Sequence, residues 1–154
     1  MNVTMFLQIL AATVASLGFS LLFNTRGKKL IFSALGGGLS WTLFLLLSYL
    51  IKNEAACYFV VAVAGSLYAE IMARLLRSPA TVFITISMIP LVPGASLYYT
   101  MSHALNGNFE SFADKGLATV ALAAAIAIGV IVSTVIMRIY IKIKALINAR
   151  KKEA

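Results

Sequence analysis

Chemistry in this chain has few places to sit, and the clearest is Ile89-Pro90-Leu91-Val92-Pro93-Gly94-Ala95-Ser96, two prolines and a glycine inside an apolar segment. Proline has no N–H and crowds the carbonyl four residues back, so Pro90 frees the carbonyl of Ile86 and Pro93 that of Ile89. At membrane depth such groups are tolerated only where protein or a water-filled cavity receives them. Broken helices at mid-membrane are a recurring way for transporters to hold polar solutes. The half-helix before the break ends in free carbonyls, and the one after it begins in free N–H groups. An amino-acid zwitterion would set its carboxylate on the N–H groups of Gly94, Ala95 and Ser96 and its ammonium on the carbonyls before the break. A dicarboxylate would use the same N-terminus and want added cations. The competing reading is a proline kink that serves packing alone.

Beyond the break, Ser96, Tyr99, Thr100 and His103 recur at three- and four-residue spacing and share a helix face, which fits the polar wall of an exit path. Thr81 and Thr85 form a shorter stripe before it. Against this stands the plainer reading that these hydroxyls bond back to their own helix and that Tyr98 and Tyr99 approach an interfacial aromatic belt. Glu70 is the one acid inside an apolar span, a functional candidate by default; Arg74, four residues on, is placed to pair with it. Glu70 and His103 are the candidates for proton coupling, with ion pairing and solvation as their structural alternatives. No metal-ligand cluster, phosphate loop or nucleophile with a nearby histidine and acid is present in the sequence, so no catalytic residue, metal or cofactor is expected.

These residues need elements to hold them. A hydrophobic fraction of 61% and a charged fraction of 12% depart far from soluble averages of roughly 45–50% and 25%. The expected fold is an all-α integral membrane protein. A span takes about 20 apolar residues, and five stretches qualify: Val3–Phe23, Leu30–Ile51, Ala55–Leu75, Ala80–Leu105 and Leu117–Ile141. They make up a transmembrane domain over residues 1–141, with the fourth span broken at Pro90-Gly94 and a basic tail over 142–154. The net charge of +8 invites a nucleic-acid reading, but the distribution of basic residues opposes it. Eleven fall on one side of the five spans (Arg26, Lys28, Lys29, Arg74, Arg77, Arg138, Lys142, Lys144, Arg150, Lys151 and Lys152), and only Lys52 and Lys115 on the other. Basic residues collect on the cytoplasmic side, which puts the N-terminus outside and the C-terminus inside. The basic tail suits anionic lipid or a cytoplasmic partner. The first span has no basic flank before it and reads as a retained helix, and Cys57, alone, reads as a packing residue.

Turn chemistry marks the boundaries. Gly27 is placed to stop helix one, Asn53 to start helix three, Ser78-Pro79 to start helix four, Asn106-Gly107-Asn108 to end it and Ser111-Phe112-Ala113-Asp114 to cap helix five. Short loops make successive helices antiparallel neighbours in a compact bundle. Small residues four apart, such as Gly65, Ala69 and Ala73, let backbones approach closely in lipid. The run Gly36-Gly37-Gly38 reads either as tight packing or as flexibility and close approach to the broken helix.

Ser78-Pro79-Ala80-Thr81-Val82-Phe83 leading to Ile89-Pro90-Leu91-Val92-Pro93-Gly94 and Tyr98, with Phe23-Asn24 closing helix one, resembles the threonine/serine exporter family, in particular its small YjjB-like five-helix membrane subunit. The resemblance implies export of threonine and serine, or of a dicarboxylate such as succinate in split pairs. It also implies a larger partner subunit with a cytoplasmic domain. The sequence reading is therefore a multi-pass subunit of a secondary exporter in a bacterial plasma membrane. It would bind a small carboxylate-bearing substrate through Pro90, Pro93, Gly94, Ala95, Ser96, Thr85, Tyr99 and Thr100, pair with that partner or with copies of itself, and bind no nucleic acid. The alternative is a non-transporting accessory or scaffold subunit of a membrane complex.

Overall fold

A computed structural model describes the backbone of residues 3–153 and the side-chain surroundings of residues 3–148. Among the described residues the regular elements are helical: α1 (Val3–Leu22), α2 (Lys28–Leu47), α3 (Glu54–Leu75), α4 (Ala80–Met88), a 3₁₀ turn (Ile89–Leu91), α5 (Gly94–Leu105) and α6 (Phe109–Glu153). α1, α2, α3 and α6 are each long and apolar enough to cross a membrane. α4 and α5, bent by 58° at the break, make a fifth crossing if taken as one interrupted span.

Local chemistry sets the ends of these helices. α1 stops at Asn24, before the expected Gly27: Asn24 is left-handed (φ 54°), its N–H donates to the Leu21 carbonyl and that of Thr25 to Ser20. Asparagine tolerates this conformation better than most residues. Gly27, also left-handed, instead leads into α2. Asn53 caps α3 as expected, accepting from the Ala56 N–H at 3.1 Å. Ser78 does not cap α4: Pro79 occupies the cap position without a side-chain cap bond, and the Ser78 N–H closes α3 on the Ala73 carbonyl. α6 begins eight residues before the expected Leu117. Its cap is Asn108, whose Oδ1 accepts from Ser111 N–H at 3.2 Å, so Ser111 to Asp114 lie inside the helix. Gly116 fails to break it and rests 3.5 Å, measured from where a Cβ would stand, from Thr100 on α5. The helix continues without interruption through the basic segment from Lys142; the side chains of Arg150, Lys151 and Lys152, and Ala154, lie outside the described residues.

α3 is the hub: α2, α4 and α6 pack on it, α1 packs on α2, and α5 leaves the break to lie along α6. The main core joins Cys57, Tyr58, Val61, Ala62, Met88, Leu91, Leu122 and Ala125, and a smaller one joins Ala69, Ala73 and Phe83. In lipid, close backbone approach replaces hydrophobic exclusion as the source of helix association, and the small residues supply it. A Cβ on Gly129 would stand 2.8 Å from Ala62 Cβ and 2.9 Å from the Phe59 carbonyl, and one on Gly37 would stand 3.3 Å from Pro90 Cγ and inside the space of the Ser16 hydroxyl. The glycine run thus seats both α1 and the break. A buried Ser20–Ser33 hydrogen bond of 2.8 Å ties α1 to α2.

Candidate functional site

The break is more thoroughly closed than the two prolines alone require. The Ile89 carbonyl, which Pro93 would leave bare, accepts from Val92 N–H at 3.2 Å. Pro93 (φ −75°, ψ 61°) then forms an inverse γ-turn, with Gly94 N–H donating to the Val92 carbonyl at 2.7 Å, and α5 starts with Leu97 N–H on the Pro93 carbonyl at 3.0 Å. Gly94 N–H is therefore occupied. The N–H groups of Ala95 and Ser96 have no backbone acceptor among the described residues, and they sit on the open side of the break, where Gly94 and Ala95 are exposed and Ser96 half-buried.

On its other side the break is dry at the core and open at the edge. Phe83, Ile86, Ser87 and Leu91 are fully buried, while Ile89 and Pro90 line a cavity of about 380 Å³ with Gln8, Ala11, Ala12, Ala15 and Trp41. The indole Nε1 of Trp41 is buried with no acceptor among the described residues. Trp41 and Gln8 were not among the residues expected at a site, since nothing in their spacing marks them.

A second concavity, about 490 Å³, lies between α3, α4 and α6 and is lined by Glu70, Arg74, Ala80, Thr81, Ile84, Thr85, Val130, Thr134 and Arg138. Its polar groups come as one four-residue pair from each helix: Glu70 with Arg74, Thr81 with Thr85, and Thr134 with Arg138. Residues four apart share a helix face, so three matched pairs turn three polar stripes toward one space. Glu70 is held by Arg74, whose Nη1 lies 2.5 Å from the carboxylate Oε2 and 2.8 Å from the Glu70 carbonyl; the Glu70 side chain is 5% exposed and that of Arg74 41%. Arg138 makes no ion pair among the described residues, which leaves the cleft with two guanidiniums against one carboxylate. Thr134 and Arg138 were missed in the sequence as site residues, although their spacing repeats that of the other two pairs.

The expected site residues thus divide. Pro90 lines the cavity at the break, and Glu70 and Thr85 line the three-helix cleft. Pro93, Gly94, Ala95, Ser96 and Tyr99 line neither. Thr100 donates to the Ser96 carbonyl at 2.8 Å and meets Thr119 Oγ1 at 3.3 Å, fastening α5 to α6. His103 sits half-buried in the last turn of α5, where its carbonyl accepts from Asn108 N–H, and is not brought to Glu70. Phe23-Asn24 and Ser78-Pro79, distant in sequence, meet around a hollow of about 400 Å³ with Thr25, Arg26, Lys29 and Val82. Among the described residues no group of three or more histidine, cysteine or acidic side chains gathers to hold a metal.

Compared with known proteins, residues 8–136 match the family described as Threonine/Serine exporter, ThrE. No curated protein and no solved structure matches the chain. The matched stretch takes in the break, the Glu70–Arg74 pair and Thr134, and stops short of Arg138.

Proposed function

The chain belongs to the threonine/serine exporter family, and from that premise we propose that it is the membrane subunit of a secondary exporter of small carboxylate-bearing metabolites. Threonine and serine are the first substrates, and a dicarboxylate such as succinate the second. The observation that carries this reading is the cleft between α3, α4 and α6, a polar space with an ion pair and an unpaired arginine inside an otherwise apolar bundle. Intramembrane charges are kept where they serve a solute or ion path.

The basic end of the bundle faces the cytoplasm of a bacterial cell in this reading, because eleven of thirteen basic residues lie there. The cleft then opens on the side from which a substrate is exported. α5 buries no residue and packs chiefly on α6, which supports completion of the outer path by a larger subunit with a cytoplasmic domain or by a second copy of the chain. Proton-motive energy drives export, with Glu70 as the coupling acid and His103 as a relay nearer the outer surface.

Vesicles containing the chain, with and without the protein from its neighbouring reading frame, are to be loaded with labelled threonine, serine or succinate and followed for efflux under an imposed pH gradient. Efflux that needs the chain supports the proposal, and a Glu70→Gln variant with normal export and unchanged pH dependence removes Glu70 from coupling. The scaffold reading is favoured by one observation, the position of exposed Ala95 and half-buried Ser96 outside both cavities. Solute flux through the partner alone that equals flux with the chain present would support it.

A further inference from the structure

We propose that the cleft between α3, α4 and α6 binds an α-amino-acid zwitterion, with Arg138 taking the carboxylate and Glu70 taking the ammonium in exchange for Arg74. This rests on the exporter reading above and moves the substrate from the proline break to a different place. Three observations converge on it.

The first is charge. Glu70 is almost wholly buried, and a buried carboxylate that loses its only cation is strongly disfavoured. Arg74 is 41% exposed on the far side of the same pair, so it can leave Glu70 and keep its guanidinium solvated by snorkelling. An incoming ammonium would replace it without leaving Glu70 bare. Arg138 meanwhile offers a planar fork matched to a carboxylate and pairs with no acid among the described residues.

The second is the behaviour of the threonines. Apart from Thr4, which is exposed near the start of α1, the threonines outside the cleft, Thr13, Thr25, Thr42, Thr100 and Thr119, each donate their hydroxyl to a carbonyl of a nearby turn. The hydroxyls of Thr81, Thr85 and Thr134, the three in the cleft, make no hydrogen bond among the described residues. Their hydroxyls remain available to a solute, and a hydroxylated side chain such as that of threonine or serine is the one they suit. The third is size: about 490 Å³ falls within the range of small-molecule sites, roughly 300–1,000 Å³.

The arrangement also chooses between the two substrate classes. A dicarboxylate bound to Arg138 would bring its second carboxylate against Glu70, a like-charge contact that is disfavoured, whereas an amino acid brings opposite charges to both.

The test uses the full chain in lipid nanodiscs and three probes: threonine, 3-hydroxybutyrate, which lacks the ammonium, and threoninamide, which lacks the carboxylate. Arg138→Gln is expected to weaken threonine and 3-hydroxybutyrate by roughly tenfold or more and to leave threoninamide unchanged. Glu70→Gln, which keeps an acceptor for Arg74, is expected to weaken threonine and threoninamide and to spare 3-hydroxybutyrate. Should Arg138→Gln not fold, Arg138→Lys, which keeps charge and loses the fork, is read by the same ratios. Equal losses for all three probes, unchanged threonine affinity in Arg138→Gln, or no binding of any probe by the wild-type chain overturns the site. Vesicle export of threonine that is unaffected by Arg138→Gln overturns the site and leaves the exporter reading standing. A wild-type chain that moves no carboxylate even with its partner overturns both.

Discussion

Replacing Gly37 by alanine tests whether the glycine run holds α1, α2 and the proline break together. The added Cβ would stand 2.6 Å from Ser16 Cβ, overlap the Ser16 hydroxyl and lie 3.3 Å from Pro90 Cγ. Ser16 Cβ is fixed to its backbone, so relief to the 3.4 Å of ordinary contact requires α1 to retreat by about 0.8 Å along its contact with α2. Overpacking of this kind costs about 1–3 kcal/mol, and the higher helix propensity of alanine returns up to about 1 kcal/mol. The net expectation is a loss of about 1–2 kcal/mol. Ser16→Gly removes both offending atoms, so the double variant should recover most of that loss, and the coupling between the two positions should be of similar size. Reversible unfolding in mixed micelles, followed through the fluorescence of Trp41, the single tryptophan, measures it directly, since Trp41 lies on α2 and lines the cavity at Pro90. Gly37→Ala as stable as wild type, or strict additivity with Ser16→Gly, would show that the helices do not meet as described.

Gly94→Ala is the counterpart: nothing lies within 4 Å of its added Cβ and its φ is not positive, so unfolding should shift by less than about 0.5 kcal/mol. Arg74→Met strips the buried Glu70 of its cation and should cost about 1–3 kcal/mol, while Glu70→Gln with Arg74→Met costs less because no charge is then stranded; thermal unfolding of the three variants distinguishes these. Gly129→Ala drives a Cβ into Ala62 and the Phe59 carbonyl, and because backbone cannot step aside it should destabilise by more than Gly37→Ala in the same unfolding assay. In a Cys57→Ala background, cysteines placed at Asn24 and at Gly107 should react with an impermeant maleimide from opposite faces of oriented vesicles, Gly107 from outside; labelling of both from one face would refute the five-crossing topology.

Sequence alone was enough for the class of fold and for the position of the break, because bilayer thickness and proline stereochemistry act within a single segment. The Asn53 cap and the end of α5 at Asn106-Gly107 were readable for the same reason: each is a local hydrogen-bond pattern. Where two signals competed for one residue, the reading slipped. Ser78 has the type of a cap for α4, but it ends α3 and the next helix starts one residue later, with Pro79 at the cap, while Asn24 takes the turn expected at Gly27.

What only the tertiary structure decided is which polar residues meet. Glu70, Thr85 and Arg138 belong to three helices, and no spacing within one chain segment measures the distance between them. Their common cleft arises because α6 packs on α3 beside α4, a choice made by the fit of Gly129 against Ala62. The same applies to the break: its carbonyls and N–H groups were countable in sequence, but the γ-turn at Pro93 that occupies Gly94 N–H, and the burial of Ile86 and Leu91 behind it, follow from how α2 and α3 close over the chain.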